Sequence, residues 1–215
     1  MISTSAIILT GETSSYPNDK GTLLIGNKAL IRCVFDAVNS IVDEVIIVTN
    51  TQERADKYAK LLPKTAKIAV NNQQTLNCLS EVITGLEVAQ GKYTLLLPYD
   101  GPFFNEKLAQ FLIDIVIGKT AAVPRTSENE IEPLCAAYQT ERFLEIAKQS
   151  LAEGVEDLQG IVEKLRGVRY ISMSVVKQID PDLHSFFIVN TSGDFKRAAV
   201  MLQGKQKQCQ TKSQR

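Results

Sequence analysis

The sequence predicts an α/β fold of three layers, in which helices cover both faces of a mostly parallel sheet. Two observations lead to this prediction. Short apolar runs alternate along the chain with segments whose apolar residues recur at the helical spacing i, i+3, i+4 and i+7. Strands that alternate with helices form right-handed crossovers, which place parallel strands side by side under helices. The 215 residues, 44% of them hydrophobic, suffice to bury the core of one such domain.

Strands and helices alternate through the first hundred residues. The strand candidates are the apolar runs SAIIL (5–9), EVIIVT (44–49), AKIAV (66–70) and YTLLLP (93–98). The helix candidates are the segments with helical periodicity between them, at 29–42, 52–62 and 75–89.

The regular alternation of strands and helices ends after residue 100. The patterns predict, in order, a helix at 106–117, a strand at 121–125, the apolar segment 132–138, helices at 140–151 and 156–166, the strands VRYISM (168–173) and FFIVN (186–190), and a helix at 192–202. From Gly204 onward the chain is polar, basic and without periodicity. We therefore expect one domain over 1–203 and a disordered tail over 204–215.

Composition excludes several classes of function. The formal net charge is zero, so no global basic field draws the protein to nucleic acid. His184 is the only histidine, and the four cysteines form no C-x-x-C pair, which argues against a Ser-His-Asp triad, a zinc site and a disulfide framework. The start MISTSAIIL is unlike a secretory leader, and no segment approaches the roughly 20 apolar residues of a membrane span, so we expect a cytoplasmic protein.

Polar residues follow two of the predicted strands. After the first strand comes a loop with Gly11, Ser14 and Lys20, a composition that lets backbone N–H groups and one cation converge on a phosphate. This loop matches neither the P-loop nor the dinucleotide motif, so a solvated polar loop is the alternative. Asp100 ends the strand YTLLLP before a Gly-Pro turn and is a natural magnesium ligand beside a phosphate; the alternative is a turn or cap residue.

The whole chain resembles the molybdenum cofactor guanylyltransferases, which are α/β nucleotidyltransferases of the sugar-nucleotide-transferase type. Their first loop, L-A-G-G-x-S-x-R-M-G-x-D-K, is similar to the segment that contains Leu9, Gly11, Ser14, Asp19 and Lys20 and continues as LLIGNKAL. Three later segments match in the family's order. LLPYDGPFF looks like L-x-x-D-x-P-F, AAVPR with EPLCAAY looks like V-V-P with x-P-L-x-A-L-Y, and FFIVNTSGDFKRA looks like F-x-N-V-N-T-P-E-D-L.

The resemblance implies a Rossmann-like nucleotide-diphospho-sugar transferase fold and a Mg²⁺-dependent transfer of GMP from GTP to a phosphorylated pterin. It implies that Asp100 holds Mg²⁺, that Asn190 sits beside the metal and the pterin phosphate, and that Lys20 binds the nucleotide phosphates. Lys20 and Asp100 are then the expected catalytic residues. The expected nucleotide contacts are Leu9, Gly11, Ser14, Lys20, Asn50 and Asp100.

The chain departs from the family pattern in the segments that the family uses to bind the nucleotide. Glu12 stands at the second glycine of L-A-G-G, one residue is missing between Glu12 and Asp19, and the family arginine of this loop has no counterpart. The family's G-P-L-A-G segment, which backs the purine, aligns with NCLSE (77–81), which has no glycine. Base selectivity is therefore not carried over from this segment.

Three functions stay open at this stage. The chain is a nucleotidyltransferase of the family type, a nucleotidyltransferase for another phosphorylated acceptor, or a non-catalytic module that binds a nucleotide, a cofactor or a partner protein. Arg125 follows a strand and is a candidate replacement for the missing arginine, although a surface pair with Glu128 or Glu130 is equally consistent. Lys92 starts its strand at the end opposite to Asp100, as expected of a solvated charge.

Overall fold

The computed structural model describes residues 2–11, 19–72, 77–126 and 130–212. Seven of the described strands form one sheet in the order β5-β4-β1-β6-β8-β7-β9, and β2 pairs with β3 in a separate hairpin. The strands are β1 (Thr4–Leu9), β2 (Leu24–Ile25), β3 (Lys28–Ala29), β4 (Glu44–Thr49), β5 (Lys67–Val70), β6 (Tyr93–Pro98), β7 (Ala121–Arg125), β8 (Ala136–Gln139) and β9 (Val168–Ser172). Within the large sheet, β8 alone runs antiparallel to its neighbours. The predicted mostly parallel sheet is confirmed.

Helices cover both faces of the large sheet, which confirms the three-layer prediction. They are α1 (Leu30–Val38), α2 (Gln52–Leu61), α3 (Cys78–Val88), α4 (Glu106–Val116), α5 (Thr140–Ala152), α6 (Leu158–Lys164), α7 (Met173–Ile179) and α8 (Ser192–Lys212). Apolar side chains of α1, α2, α4 and α7 pack into one core cluster, and those of α3, α5 and α6 pack into a second cluster. The alternation of side chains along each strand feeds both clusters, because successive residues of a strand point to opposite faces.

The segment FFIVN (186–190) is not a strand, contrary to the sequence prediction. His184–Phe186 form a 3-10 helix, and the chain beyond it runs without sheet pairing. Its apolar residues join a third, smaller cluster in which Val189 packs with Ile25, Leu30 and Ala198, beside the hairpin and α8. The Val189 N–H donates to the Asp100 carbonyl oxygen at 3.0 Å. The segment is apolar because it covers this cluster, and its backbone is tied to the end of β6.

The chain end also differs from the prediction. The backbone of α8 continues as a helix to Lys212, into the segment that composition predicted to be a disordered tail. Lys and Gln, which dominate this segment, have favourable helix propensities, so they extend a helix that has already been nucleated upstream. Two further elements, α7 and the short hairpin, were not predicted.

None of the described helices is both long and apolar enough to cross a lipid bilayer.

Gly91, which precedes β6, lies against the backbone of β1 and yields a stability prediction. A Cβ at this position would lie 2.5 Å from Ser5 N and 2.6 Å from the Thr4 carbonyl carbon. Gly91→Ala must therefore displace β6 from β1, and we expect a loss of about 1–3 kcal/mol in the free energy of unfolding. Chemical denaturation measures it. Gly160→Ala in α6 is the matched control: its Cβ would meet nothing closer than 3.5 Å, so stability should stay the same or rise.

Candidate active site

A cavity of about 310 Å³ lies at the carboxyl ends of β1 and β6. The chain places β4 and β5 on one side of β1 and β6 on the other, so the strand order reverses at this point. The two strand ends are locked in register, with Leu9 opposite Pro98 and the Tyr99 N–H donating to the Leu9 carbonyl at 3.1 Å. Such a reversal is where open α/β sheets bind ligands.

Four of the residues expected to contact the nucleotide line this cavity: Leu9, Gly11, Lys20 and Asp100. Gly11 has a φ of +61°, a left-handed conformation that favours glycine and turns the chain away from β1. Ser14 and Glu12 lie outside the described residues. Geometry thus places the predicted residues of β1, the first loop and β6 around one space, whereas their roles stay predictions.

Lys20 and Asp100 form a buried ion pair in the wall of the cavity. Lys20 Nζ lies 2.6 Å from Asp100 Oδ2, and the two residues are only 4% and 6% exposed. The same Nζ donates to the Val189 carbonyl oxygen at 3.2 Å. The cation is therefore held between the end of β6 and the segment that follows residue 188. Each group is the partner of the other here, so a bound phosphate or cation must compete with this pair.

Asn190 follows Val189, whose N–H donates to the Asp100 carbonyl oxygen, so the backbone at Asn190 lies near the end of β6, but Asn190 is not among the described residues that line the cavity. Asn190 is exposed, and its backbone N–H donates to Asp194 Oδ2 at 3.3 Å. Asn50 follows β4, and its Nδ2 lies 3.5 Å from the Gly11 carbonyl. Among the described residues, the buried Asn50 Oδ1 atom has no hydrogen-bond partner.

Arg54 fastens the two described ends of the first loop, and sequence reasoning missed it. Its guanidinium donates to the Gly11 carbonyl at 2.9 Å and the Thr10 carbonyl at 3.1 Å, and its Nε lies 3.2 Å from Asp19 Oδ2. Arg54 is 7% exposed and also donates to the Tyr58 hydroxyl at 2.9 Å. Asp19 caps the 3-10 turn Lys20–Thr22 by accepting from Gly21 N–H. Arg54 thereby fixes the turn that presents Lys20.

Neighbouring groups keep Arg54 protonated although its side chain is buried. Burial alone would lower the pKa of Arg54, but the oxygens of Tyr58 and Asp19 outweigh burial and raise it. Burial raises the pKa of Tyr58 far above its usual value, so its hydroxyl stays protonated and donates to Asp19 Oδ1 at 2.7 Å. The only sequence signal for this cluster is an arginine and a tyrosine four residues apart at the start of α2.

Two further carboxyl groups line the cavity. Glu81, in the first turn of α3, is 1% exposed, and its Oε2 accepts from the Gly11 N–H at 2.9 Å. Glu132 also lines the cavity, and burial together with the charge of Glu130 raises the pKa of its carboxyl group. Among the described residues, the cavity therefore combines one cation with three acidic side chains.

The cations considered as replacements for the family arginine lie elsewhere. Arg125, at the end of β7, stacks its guanidinium carbon 3.7 Å from the centre of the Tyr170 ring, and its buried Nε has no hydrogen-bond partner among the described residues. Lys92 is exposed at the amino end of β6, opposite to Asp100, as the sequence indicated.

The fit of Mg²⁺ to this site rests on Asp100. Among the described residues, no group of three or more His, Cys, Asp or Glu side chains is arranged to hold a metal ion. Mg²⁺ commonly takes only one or two carboxylates and completes its shell with phosphate oxygens and water. Asp100, a buried carboxylate in the cavity wall, fits that preference.

Comparison with known proteins agrees with the family that the sequence resembles and with the fold. A family model described as the MobA-like NTP transferase domain matches residues 6–168. A molybdenum cofactor guanylyltransferase of Desulfosudis oleivorans is 28% identical over 200 residues, covering 93% of this chain and 95% of that protein. A probable molybdenum cofactor guanylyltransferase of Methanosarcina mazei is 25% identical over 198 residues, covering 89% of this chain and 88% of that protein.

Two solved structures show the same fold. The crystal structure of molybdopterin-guanine dinucleotide biosynthesis protein A from Archaeoglobus fulgidus has a TM-score of 0.78 at 20% identity, covering 93% of this chain and 99% of that chain. The structure of 4-diphosphocytidyl-2C-methyl-D-erythritolsynthase from Anaerococcus prevotii has a TM-score of 0.73 at 16% identity, covering 94% and 96%.

Proposed function

The chain belongs to the MobA-like NTP transferase domain family, and on that premise we propose that it transfers GMP from GTP to the phosphate of a molybdenum-bound pterin cofactor. The observation that carries the proposal is the cavity at the ends of β1 and β6, where Lys20 and Asp100 meet beside Gly11. Relatives along almost the whole chain are named for this activity.

In this reaction a phosphate oxygen of the acceptor attacks the α-phosphorus of GTP. One new P–O bond forms, the bond between the α-phosphorus and its bridging oxygen breaks, and pyrophosphate leaves with the electron pair. No protein nucleophile takes part, so the chain contributes position and charge. Lys20 is held at the cavity wall by Asp100 and Val189, and in this proposal it would neutralise phosphate oxygens of bound GTP.

Asp100 would hold Mg²⁺ in the loaded enzyme, with Asn190 close to it. The ion would supply positive charge that offsets the charge on the phosphates and on the leaving pyrophosphate. Because Asp100 and Lys20 bind each other, an Asp100 that holds Mg²⁺ would leave the Lys20 ammonium available to the nucleotide phosphates. Arg54 would keep Gly11 and the turn that contains Lys20 in place through its bonds to the Gly11 carbonyl and to Asp19.

A thermal-shift experiment tests this proposal. The full chain is heated with GTP, ATP or CTP, each with Mg²⁺ or with EDTA. GTP with Mg²⁺ at 100 times its dissociation constant should stabilise the fold by about 2.7 kcal/mol, which raises the Tm by roughly 5–10 °C for a domain of this size. EDTA should remove most of the shift. If none of the three nucleotides moves the Tm, the proposal fails in favour of a module that binds a protein or cofactor without turnover.

A further inference from the structure

Glu81 is a charged group in the cavity wall that the family pattern does not foresee, since the aligned family segment ends in glycine at this position. The first turn of α3 fixes its position. Asn77 and Ser80 form a reciprocal capping box at the start of the helix, and Glu81 follows directly. A carboxylate in the first turn is stabilised by the helix dipole. The side chain points into the cavity, where its Oε2 also accepts from Gly11 N–H.

The phosphates and the base of a nucleotide are stabilised by opposite charges in this cavity. Lys20 is bound to Asp100 and Val189, so the positive group belongs to the wall formed by β6 and the segment after residue 188. Glu81 is bound to Gly11 on the side of β1 and α3. A carboxylate repels phosphate and attracts N–H donors. The side of β1 and α3, where Leu9 adds apolar surface, therefore suits a nucleotide base presented by its donor edge.

We propose that Glu81 selects guanine by accepting hydrogen bonds from its N1–H and N2–H groups. This inference rests on the proposed function and names the group that sets its base specificity. Guanine presents two adjacent donors, which match the two oxygens of one carboxylate. Adenine and cytosine each place a ring-nitrogen acceptor beside their single amino donor, and uracil places carbonyl oxygens on both sides of N3–H. These acceptors would face a carboxylate oxygen without a proton between them, which disfavours binding.

Inosine triphosphate provides the sharpest probe, because it differs from GTP only in lacking the exocyclic 2-amino group. Dissociation constants for GTP and ITP are measured by calorimetry on the full chain with Mg²⁺. Wild type should bind GTP roughly 10- to 100-fold more tightly than ITP, as expected for a hydrogen bond to a charged acceptor. In Glu81→Gln this ratio should fall toward one. The glutamine oxygen can still accept from Gly11 N–H. The donor and acceptor of the glutamine amide match the acceptor and donor of adenine, so the affinity for ATP should rise relative to the affinity for GTP.

Glu132→Gln is the matched control, because it removes a second carboxyl group from the same cavity. It should leave the ratio of GTP to ITP affinity unchanged, even if all nucleotides bind more tightly. The ratio does not depend on the folded fraction, so partial unfolding of Glu81→Gln cannot imitate the expected result. If wild type binds GTP with Mg²⁺ and Glu81→Gln keeps the wild-type ratio, the role of Glu81 is wrong while the proposed function stands. If wild type binds no nucleotide, the proposed function itself fails, and this inference with it.

Discussion

Asp100→Asn is expected to lower the rate of GMP transfer on the order of a thousandfold, because metal charge on transferring phosphates contributes several kcal/mol to catalysis. Asparagine keeps the size and one acceptor oxygen of the side chain, so Lys20 Nζ can still be bound at a distance near the present 2.6 Å. What is lost is the negative charge that attracts Mg²⁺. The measurement is pyrophosphate release at saturating GTP over a range of Mg²⁺ concentrations.

Asp114→Asn supplies the control for this substitution. Asp114 is exposed on α4, where it accepts from Gln110 Nε2 at 2.8 Å, so its loss should leave the rate unchanged. The Tm of Asp100→Asn without ligand separates lost stability from lost catalysis. A variant that stays folded and keeps the wild-type rate and Mg²⁺ dependence would show that Asp100 does not hold the metal.

Arg54→Ala is expected to cost about 3–5 kcal/mol in the free energy of unfolding, the usual loss when one partner of a buried ion pair is removed. Both side chains of the Arg54–Asp19 pair are only 9% exposed, so Asp19 would be left as a buried charge without its cation. For a domain of this size the Tm should fall by roughly 10 °C. Nucleotide affinity should fall as well, since Gly11 and the Lys20 turn lose their common anchor. Calorimetry and a nucleotide titration below the lowered Tm measure the two effects.

Arg54→Lys and Arg142→Ala distinguish geometry from charge. Lysine keeps the charge but cannot reach Gly11, Thr10 and Asp19 at once, so it should recover only part of the stability and little of the affinity. Arg142 pairs with Glu145 on the exposed face of α5, and its removal should hardly change the Tm. Full recovery by lysine would contradict the view that Arg54 acts through its forked contacts.

The sequence was sufficient for most strands of the sheet and for most of the helices around it. β1, β4, β6 and β7 are apolar runs buried on both faces, and such runs contrast sharply with the amphipathic helices between them. The strand prediction for FFIVN was wrong, although it used the same signal that correctly located those strands. A run of apolar residues shows that a segment is buried, but it does not show whether the segment pairs with another strand. Val189 is buried in a side cluster under α8, where periodicity gives no guidance.

The site was predictable only as far as strand ends could be located. Lys20 and Asp100 were found because Lys20 follows β1 in a polar loop and Asp100 follows β6 directly before a Gly-Pro turn. Their contact with each other, 80 positions apart, needed the register of the folded sheet. Arg54 and Glu81 were missed because each sits in a helix start that is ordinary in sequence, and only packing directs their charged groups inward. A buried charge leaves no periodic signal.

The most direct test of the account is transfer of label from GTP that carries radioactive phosphorus at the α-position. The full chain is incubated with this GTP, Mg²⁺ and the molybdenum-bound pterin cofactor, and the product is separated and identified by mass. We predict one labelled GMP joined to each acceptor, with one pyrophosphate released per transfer and no label left on the protein. Binding of both substrates with the label remaining entirely in GTP would contradict the central claim and leave a binding module without transferase activity.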